Sequence, residues 1–316
     1  MLLSFAPHRI VVGATAHADI VAALRARRPD LSYRGAAHTD VTAVDLAWAD
    51  TYVGFKRPPA AATMGGVRWV HCTGAGVDSW LSPVELDRDI LLTRTSESFG
   101  PAIAEWAVAR IFAVQQQLAE LAAMQRDHRW APREIALVAG TRAVVVGTGD
   151  VGRAVASRLA ALGVAVTGVS RSGVGAHPAF SAVHRASALA DLVGEAQWIV
   201  LTVPDTPATR GLFSRDVMSH CRDAVLLNAG RGSVVDEGAL PEALDRGWLR
   251  AVALDVFAVE PLPAASPLWV HPRVMISPHC SGRTTVANAV DGFLECMSTL
   301  EEGRMPIWVV DRERGY

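Results

Sequence analysis

The chain has 316 residues, half of them apolar and 20% charged, with 30 Lys+Arg against 32 Asp+Glu for a formal net charge of −2. That length and mix suit two domains with packed cores and exclude a disordered or fibrous polypeptide. The basic residues are scattered, so no nucleic-acid partner is expected. The four cysteines, Cys72, Cys221, Cys280 and Cys296, form no C-x-x-C pair and have no histidine at metal-ligand spacing, so neither a metal site nor a disulfide framework is expected.

In chain order, Pro7, His8 and Arg9 interrupt any apolar leader, and no stretch reaches the roughly 18 apolar residues of a membrane span. A cytoplasmic protein with no membrane partner is expected. His8–Gly13 predicts a strand and Ala18–Arg28 a helix. Val67–His71 predicts a second strand, ending in the small-residue loop Thr73-Gly74-Ala75-Gly76-Val77-Asp78, and Ile90–Thr93 a third. From Pro101 to about Arg126, Ile103, Ala107, Ile111, Val114, Leu118 and Leu121 recur at helical spacing and predict one long helix, suited to bridging domains or forming a dimer surface. Six short apolar runs follow: Ala143–Val146, Ala165–Val169, Trp198–Leu201, Ala224–Leu227, Val252–Leu254 and Val274–Ile276. They predict an α/β fold with a doubly wound parallel sheet, whose strands are covered on both faces. Thr284 to about Leu300 predicts a last helix.

The first of these runs leads straight into Gly147-Thr148-Gly149-Asp150-Val151-Gly152, and a helical pattern continues from Arg153 to Leu162. A G-x-G-x-x-G between strand and helix suits a dinucleotide. Gly147 makes the tight turn, Gly149 admits the pyrophosphate, Gly152 lets helix pack on strand, and the helix N-terminus faces the phosphates. About 20 residues on, an NAD-specific site would carry a carboxylate for the ribose hydroxyls. Here the chain has Ser170-Arg171-Ser172, an arginine between two hydroxyls that suits a 2′-phosphate. NADP(H) is therefore expected in preference to NAD(H), which stays open as a second cofactor.

Three later runs end in polar groups: Asn228-Ala229-Gly230-Arg231-Gly232, Asp255 through Pro261, and Ser277-Pro278-His279-Cys280-Ser281-Gly282. With Val203-Pro204-Asp205-Thr206-Pro207-Ala208-Thr209-Arg210-Gly211, the glycine loop, Gly74–Asp78 and Ile103-Ala104-Glu105, the segments Asn228 through Asp236, Asp255 through Pro261 and Ser277 through Thr284 stand in the order and spacing of a known family. The chain resembles the D-isomer-specific 2-hydroxyacid dehydrogenases over nearly its whole length.

The resemblance implies two Rossmann-like or flavodoxin-like doubly wound parallel-sheet domains with a cleft between them. Residues 1–99 would bind substrate, 100–286 the dinucleotide, and 287–316 would return as a helix and tail to the first. It implies a hydride transfer between a nicotinamide cofactor and a small 2-keto or 2-hydroxy acid. His279 would be the acid/base, Glu260 would orient it, and Arg231 would polarise the carbonyl and bind the carboxylate. Backbone N–H groups of Ala75, Gly76 and Val77 would hold the carboxylate's other side. Gly147, Gly149, Asp150, Val151, Gly152, Ser170, Arg171, Ser172, Val203, Pro204, Asn228, Ala229, Gly230 and His279 would line the cofactor site, with Asp255 meeting the nicotinamide carboxamide. A homodimer is implied as well. The Ser170-Arg171-Ser172 segment and the length look most like the NADPH-dependent glyoxylate/hydroxypyruvate reductase branch. Trp48, His71, Cys72 and Trp130 are candidates for shaping the pocket. A non-catalytic dinucleotide sensor of the same fold is the alternative function.

Overall fold

The computed structural model describes residues 6–60, 64–82, 84, 86–96 and 98–316. The chain forms two compact units, Met1–Ser98 with Thr284–Tyr316, and Phe99–Arg283. The first begins with β1 (Arg9–Gly13), α1 (His17–Arg27), β2 (Ser32–Ala36), α2 (Ala43–Trp48), β3 (Thr51–Val53), β4 (Trp69–Cys72), α3 (Asp78–Leu81) and β5 (Leu91–Arg94). The second holds α4 (Gly100–Gln115), α5 (Leu118–Arg126), β6 (Arg142–Val146), α6 (Asp150–Ala161), β7 (Ala165–Ser170), β8 (Ala182–Arg185), α7 (Leu189–Val193), β9 (Trp198–Leu201), α8 (Arg215–Ser219), β10 (Ala224–Asn228), α9 (Leu240–Asp245), β11 (Leu249–Leu254) and β12 (Val274–Ile276). The chain then returns to the first unit with α10 (Val286–Glu301).

The first unit's five strands are all parallel, in the order β2-β1-β3-β4-β5. Successive strand residues face opposite cores. Ile10, Val12, Val53, Trp69 and Leu91 pack with Ile20 and Leu24 of α1, whereas Val11, Tyr52, Val70 and Leu92 pack with Leu46 of α2 and Trp80 of α3. A period of two buried on both faces is why the central strands read as unbroken apolar runs. β2 and β3 escape that pattern. The first is an exposed edge strand, Ser-Tyr-Arg-Gly-Ala, and the second is only three residues long.

α10 reaches the core on the α1 side through Ala289, Val290, Phe293, Cys296, Met297 and Leu300, a stripe at helical spacing. Phe293 stacks on Trp69 with ring centroids 4.9 Å apart. Removing an aromatic so packed costs about 3–5 kcal/mol, so this helix belongs to the first unit although the whole second unit precedes it in sequence.

In the second unit seven parallel strands run in the order β12-β11-β10-β9-β6-β7-β8. Sequence order reverses between β6 and β9, the crevice where such sheets bind nucleotides. Residues of α7, α8 and α9, among them Leu189, Met218 and Leu240, close the core on one face with Val144, Ile199, Leu226 and Val252. On the other, α4 packs against α6 and β10.

Two expectations need correction here. The sheet has seven strands and not six, because β8 lies on an exposed edge and carries no apolar run. The helix expected from Pro101 to Arg126 is two helices, broken at Gln116 and Gln117. Gln117 has φ +51°, and the break is stitched to a later segment by Gln115 Nε2 donating to Ala136 O at 2.8 Å and Gln117 Nε2 donating to Glu134 O at 3.2 Å. Apolar spacing continues across a change of axis, so periodicity could not locate it.

His71, on β4, is wholly buried. Its Nδ1 and Nε2 meet Thr93 Oγ1 at 2.9 Å and Thr95 Oγ1 at 3.0 Å, and burial pushes its pKa down from 6.5 to about 3. Below pH 6.5 the unfolded chain therefore takes up a proton that the folded chain refuses, so acid favours unfolding by about 1.4 kcal/mol per pH unit from this one group. Urea midpoints measured from pH 7.5 to 4.5 are expected to fall less steeply in His71→Gln than in the parent protein. Equal slopes would show that His71 is not the group responsible.

Candidate active site

In a parallel sheet all the strand C-termini lie along one edge, and in the second unit that edge carries every polar segment singled out above from residue 147 onward. The glycine loop follows β6. Gly147 has φ +104°, and a Cβ there would lie 2.6 Å from Thr202 Oγ1. A Cβ on Gly152 would sit 1.8 Å from Gly147 O, so the first turn of α6 crosses the loop at backbone contact. Gly149 differs. It is the N-cap of α6, no side chain caps that helix end, and an added Cβ would meet no protein atom within 4 Å. The glycine there answers to no packing within the protein, and it leaves backbone N–H groups and open space where a diphosphate fits. β7 ends at Ser170, with Arg171 and Ser172 exposed beyond it.

The segments after β9 and β10 press together. A Cβ on Gly230 would meet Val203 O at 2.6 Å, bringing Val203-Pro204 against Asn228–Gly230. Asn228, fully buried, spends its amide on its own turn. Its Nδ2 donates to Arg231 O at 2.9 Å and its Oδ1 accepts from Gly230 N–H at 3.1 Å. Arg210 holds Asp205 through two bonds, and Ser233 Oγ donates to the same carboxylate at 2.9 Å, tying the segment after β9 to the turn after Arg231. The Arg210 guanidinium holds the Asp205 carboxyl below the usual range despite partial burial.

Arg231, Glu260 and His279 come together in this unit through two packed turns. Gly232 lies so close to the next strand's loop that a Cβ would fall 1.8 Å from Phe257 C. On that loop Phe257 N–H donates to Glu260 Oε1 at 3.0 Å, and Glu260 Oε2 meets His279 Nδ1 at 2.8 Å. A carboxylate can only accept, so Nδ1 carries the hydrogen and Nε2 is the nitrogen left for a substrate. Burial raises the Glu260 pKa, but the His279 and Phe257 bonds and the charges of His279 and Arg231 outweigh it, and the net shift is downward. The group is a carboxylate through mild acid as well as at neutral pH.

His279 itself has φ +49°, a left-handed conformation uncommon for a residue with a side chain. Asp255 imposes it. This carboxylate is completely buried and accepts four hydrogen bonds from the following loop: Oδ1 from Ser277 Oγ at 2.5 Å and Cys280 N–H at 3.0 Å, Oδ2 from Ser281 N–H at 2.9 Å and Ser281 Oγ at 2.5 Å. His279 N–H donates to Asp255 O at 2.8 Å. Trp106 of α4 backs the arrangement, its Nε1 donating to Ser277 Oγ at 2.9 Å.

Four contributors were given no role by motif reading: Trp106, Ser277, Ser281 and Glu237. Glu237 Oε1 accepts the Ala258 N–H at 2.5 Å, holding the loop that presents Glu260. Half-burial and the neighbouring Glu260 charge raise the Glu237 pKa, opposed by that bond. It stands one residue past a recognised segment, but only its fold neighbour reveals its use.

Of the other candidates, Ala75–Val77 lie in the first unit. There Arg94 NH1 donates to Ala75 O at 2.8 Å and the Cys72 thiol donates to Gly76 O at 3.3 Å, so the bonds that shape the loop fall on its carbonyls. His71 and Cys72 are buried in that unit's interior. Trp48 lies under Arg34, whose guanidinium is 4.3 Å from the ring centroid, and Trp130 is 96% exposed. Among the described residues no group of three or more His, Cys, Asp or Glu could hold a metal, and no helix is long and apolar enough to cross a membrane.

The three glycines separate two roles by experiment. Gly152→Ala is expected to destabilise the protein by roughly 1–3 kcal/mol or more, since backbone must move. Gly149→Ala should leave the unfolding midpoint within error while weakening dinucleotide binding at least severalfold in a fluorescence titration. Equal losses of stability from both would refute the distinction.

Comparison with known proteins identifies the family. Residues 108–281 match the family described as D-isomer specific 2-hydroxyacid dehydrogenase, NAD binding domain. A glyoxylate/hydroxypyruvate reductase A of Serratia proteamaculans is 32% identical over 271 residues, 82% of this chain and 86% of that protein. A D-isomer specific 2-hydroxyacid dehydrogenase from Xanthobacter autotrophicus Py2, solved in complex with NADPH and MES, superposes with a TM-score of 0.90 at 30% identity, covering 98% of this chain and 100% of that one. An NADPH-dependent glyoxylate/hydroxypyruvate reductase from Sinorhizobium meliloti, solved with NADP and sulfate, gives 0.85 at 26% identity, with 98% and 100% covered. The chain belongs to the D-isomer specific 2-hydroxyacid dehydrogenase family and is an oxidoreductase acting on CH–OH groups.

Proposed function

We propose that this enzyme reduces glyoxylate, hydroxypyruvate or a related small 2-keto acid with NADPH. The observation that carries the chemistry is the His279–Glu260 pair at 2.8 Å, beside the Arg231 turn. Gly147, Gly149, Asp150, Val151 and Gly152 would hold the pyrophosphate, Ser170, Arg171 and Ser172 the 2′-phosphate, and Val203, Pro204 and Asn228–Gly230 the nicotinamide side. When bound, the cofactor supplies the hydride that reaches the carbonyl carbon.

Arg231 draws the carbonyl's electrons toward oxygen and holds the adjacent carboxylate, which a planar fork of donors suits. His279 gives the Nε2 proton to the oxygen as it becomes an alcohol, and its neutral form takes the proton back in the oxidative direction. Glu260 keeps Nδ1 protonated and stabilises the imidazolium before transfer. Asp255, with four donors on its two oxygens, is read as the residue that positions His279 and not as a contact of the carboxamide.

The preference for NADPH rests on Ser170-Arg171-Ser172, which sets no carboxylate against a 2′-phosphate, and on NADP-type complexes among similar structures. The names of similar proteins support the substrate class. A homodimer fits the apolar side chains left exposed at Leu118, Leu121, Trp130, Ile135 and Leu137. The four cysteines, none of them in a disulfide, suit a cytoplasmic address.

Initial rates with glyoxylate, hydroxypyruvate and bulkier 2-keto acids, each with NADPH and NADH, test the reading. A preference for NADPH on the small acids is expected. A tenfold preference for NADH would overturn the cofactor assignment, and tight NADPH binding without turnover of any acid would favour a sensor. His279→Ala should lose about 10²–10⁴ in kcat with NADPH affinity within about twofold; near-parental turnover would remove it from the mechanism. In light scattering the parent should run at twice 33.6 kDa, and Trp130→Glu with Leu137→Glu should halve that mass. A monomeric parent would end the dimer proposal.

A further inference from the structure

Acidic side chains avoid the region around the loop after β7. Between Asp150 and Asp191 the chain has no Asp or Glu, yet it carries Arg153, Arg158, Arg171 and Arg185 with His177 and His184. Of these, Arg185 is built into the loop itself. β7 and β8 pair with Ser170 opposite Arg185, so Arg185 stands at the end of the edge strand, level with the start of the loop. Its Nε donates to Ser172 O at 3.1 Å. Its stem lies against Gly173, which has φ +70° and where an added Cβ would fall 2.5 Å from Arg185 Cγ. The serines close the same turn: Ser170 Oγ accepts from Gly173 N–H at 3.1 Å and Ser172 Oγ from Val174 N–H at 3.3 Å.

We infer that Arg185 is a second specificity-determining cation for the adenosine 2′-phosphate, acting beside Arg171 and fixing the turn that carries Ser170 and Ser172. The inference rests on the NADPH reading above. An exposed guanidinium gains little from a single ion pair in water. Two near one phosphate, with no carboxylate in the surrounding sequence, raise the local potential that selects a doubly charged group. A charged residue on an edge strand ordinarily serves to block strand pairing. That purpose does not require the bond to Ser172 O or the glycine cut away beneath the arginine stem. The bond uses one of five guanidinium donors, so the rest of the fork can serve an anion. A ribose that ends in a 2′-hydroxyl gains nothing from this charge, so Arg185 contributes to discrimination and not to dinucleotide binding in general.

Calorimetric titration of the full-length protein with adenosine 2′,5′-bisphosphate and with 5′-AMP tests this without turnover. The parent protein is expected to bind the bisphosphate at least tenfold more tightly. Arg185→Gln should weaken the bisphosphate by roughly five- to twentyfold and leave 5′-AMP within about twofold. Arg185→Lys, which keeps the charge, should fall between the two. A glutamine variant as selective as the parent, or one that loses both ligands equally, overturns the inference while the NADPH reading stands. A lysine variant no better than glutamine overturns the role of the charge. A parent protein that does not distinguish the two ligands overturns the cofactor reading and this inference with it.

Discussion

A buried carboxylate with no exposed surface must be matched donor for donor, and at Asp255 all four come from the loop that carries His279. Ser277, Cys280 and Ser281 are drawn in around it, and the residue between them is forced into the left-handed region at φ +49°. Such a conformation costs of order 1 kcal/mol for a residue with a side chain, which the surrounding bonds offset. The imidazole is thereby aimed at Glu260. Trp106 extends the constraint into α4, so the orientation of a surface histidine depends on a helix far from it in sequence.

The rest of the site is assembled by turns pressed together until only glycine fits. Gly230 meets the segment of Val203, Gly232 meets Phe257, and Gly152 meets Gly147. The first two contacts join the loop after one strand to the loop after another, and the third closes the glycine loop on the helix that follows it. Side chains of Glu237, Asp205 and Asn228 then bind backbone or neighbouring groups and stop the loops from sliding. In the proposed reaction, groups held in this way would need little rearrangement as charge develops, which is where preorganised donors contribute most. Gly149 differs from these three glycines, since an added Cβ there would meet no protein atom within 4 Å.

The Arg231, Glu260 and His279 set and the glycine loop were legible because each lies at the end of an apolar run, where a parallel sheet exposes its loops. The central strands were legible for a related reason: burial on both faces leaves a continuous apolar signature. Edge strands β2 and β8 are covered on fewer sides and carry ordinary polar sequences, and β3 is too short to show a period. The break between α4 and α5 was hidden because apolar spacing runs through it, while its cause lies in bonds to residues 134 and 136.

Sequence by itself determined the α/β class and the placing of the glycine loop and the charged segments at strand ends, because those depend on local period and residue type. The roles expected of Arg231, Glu260 and His279 came from the family resemblance. Tertiary structure alone decided what Asp255 does, that α10 joins the first unit, and that Glu237, Trp106 and Arg185 matter to loops they do not adjoin in sequence. Each of those outcomes is a close approach between distant segments. Whether a carboxylate meets a ligand or is already saturated depends on which donors the fold brings within hydrogen-bonding reach.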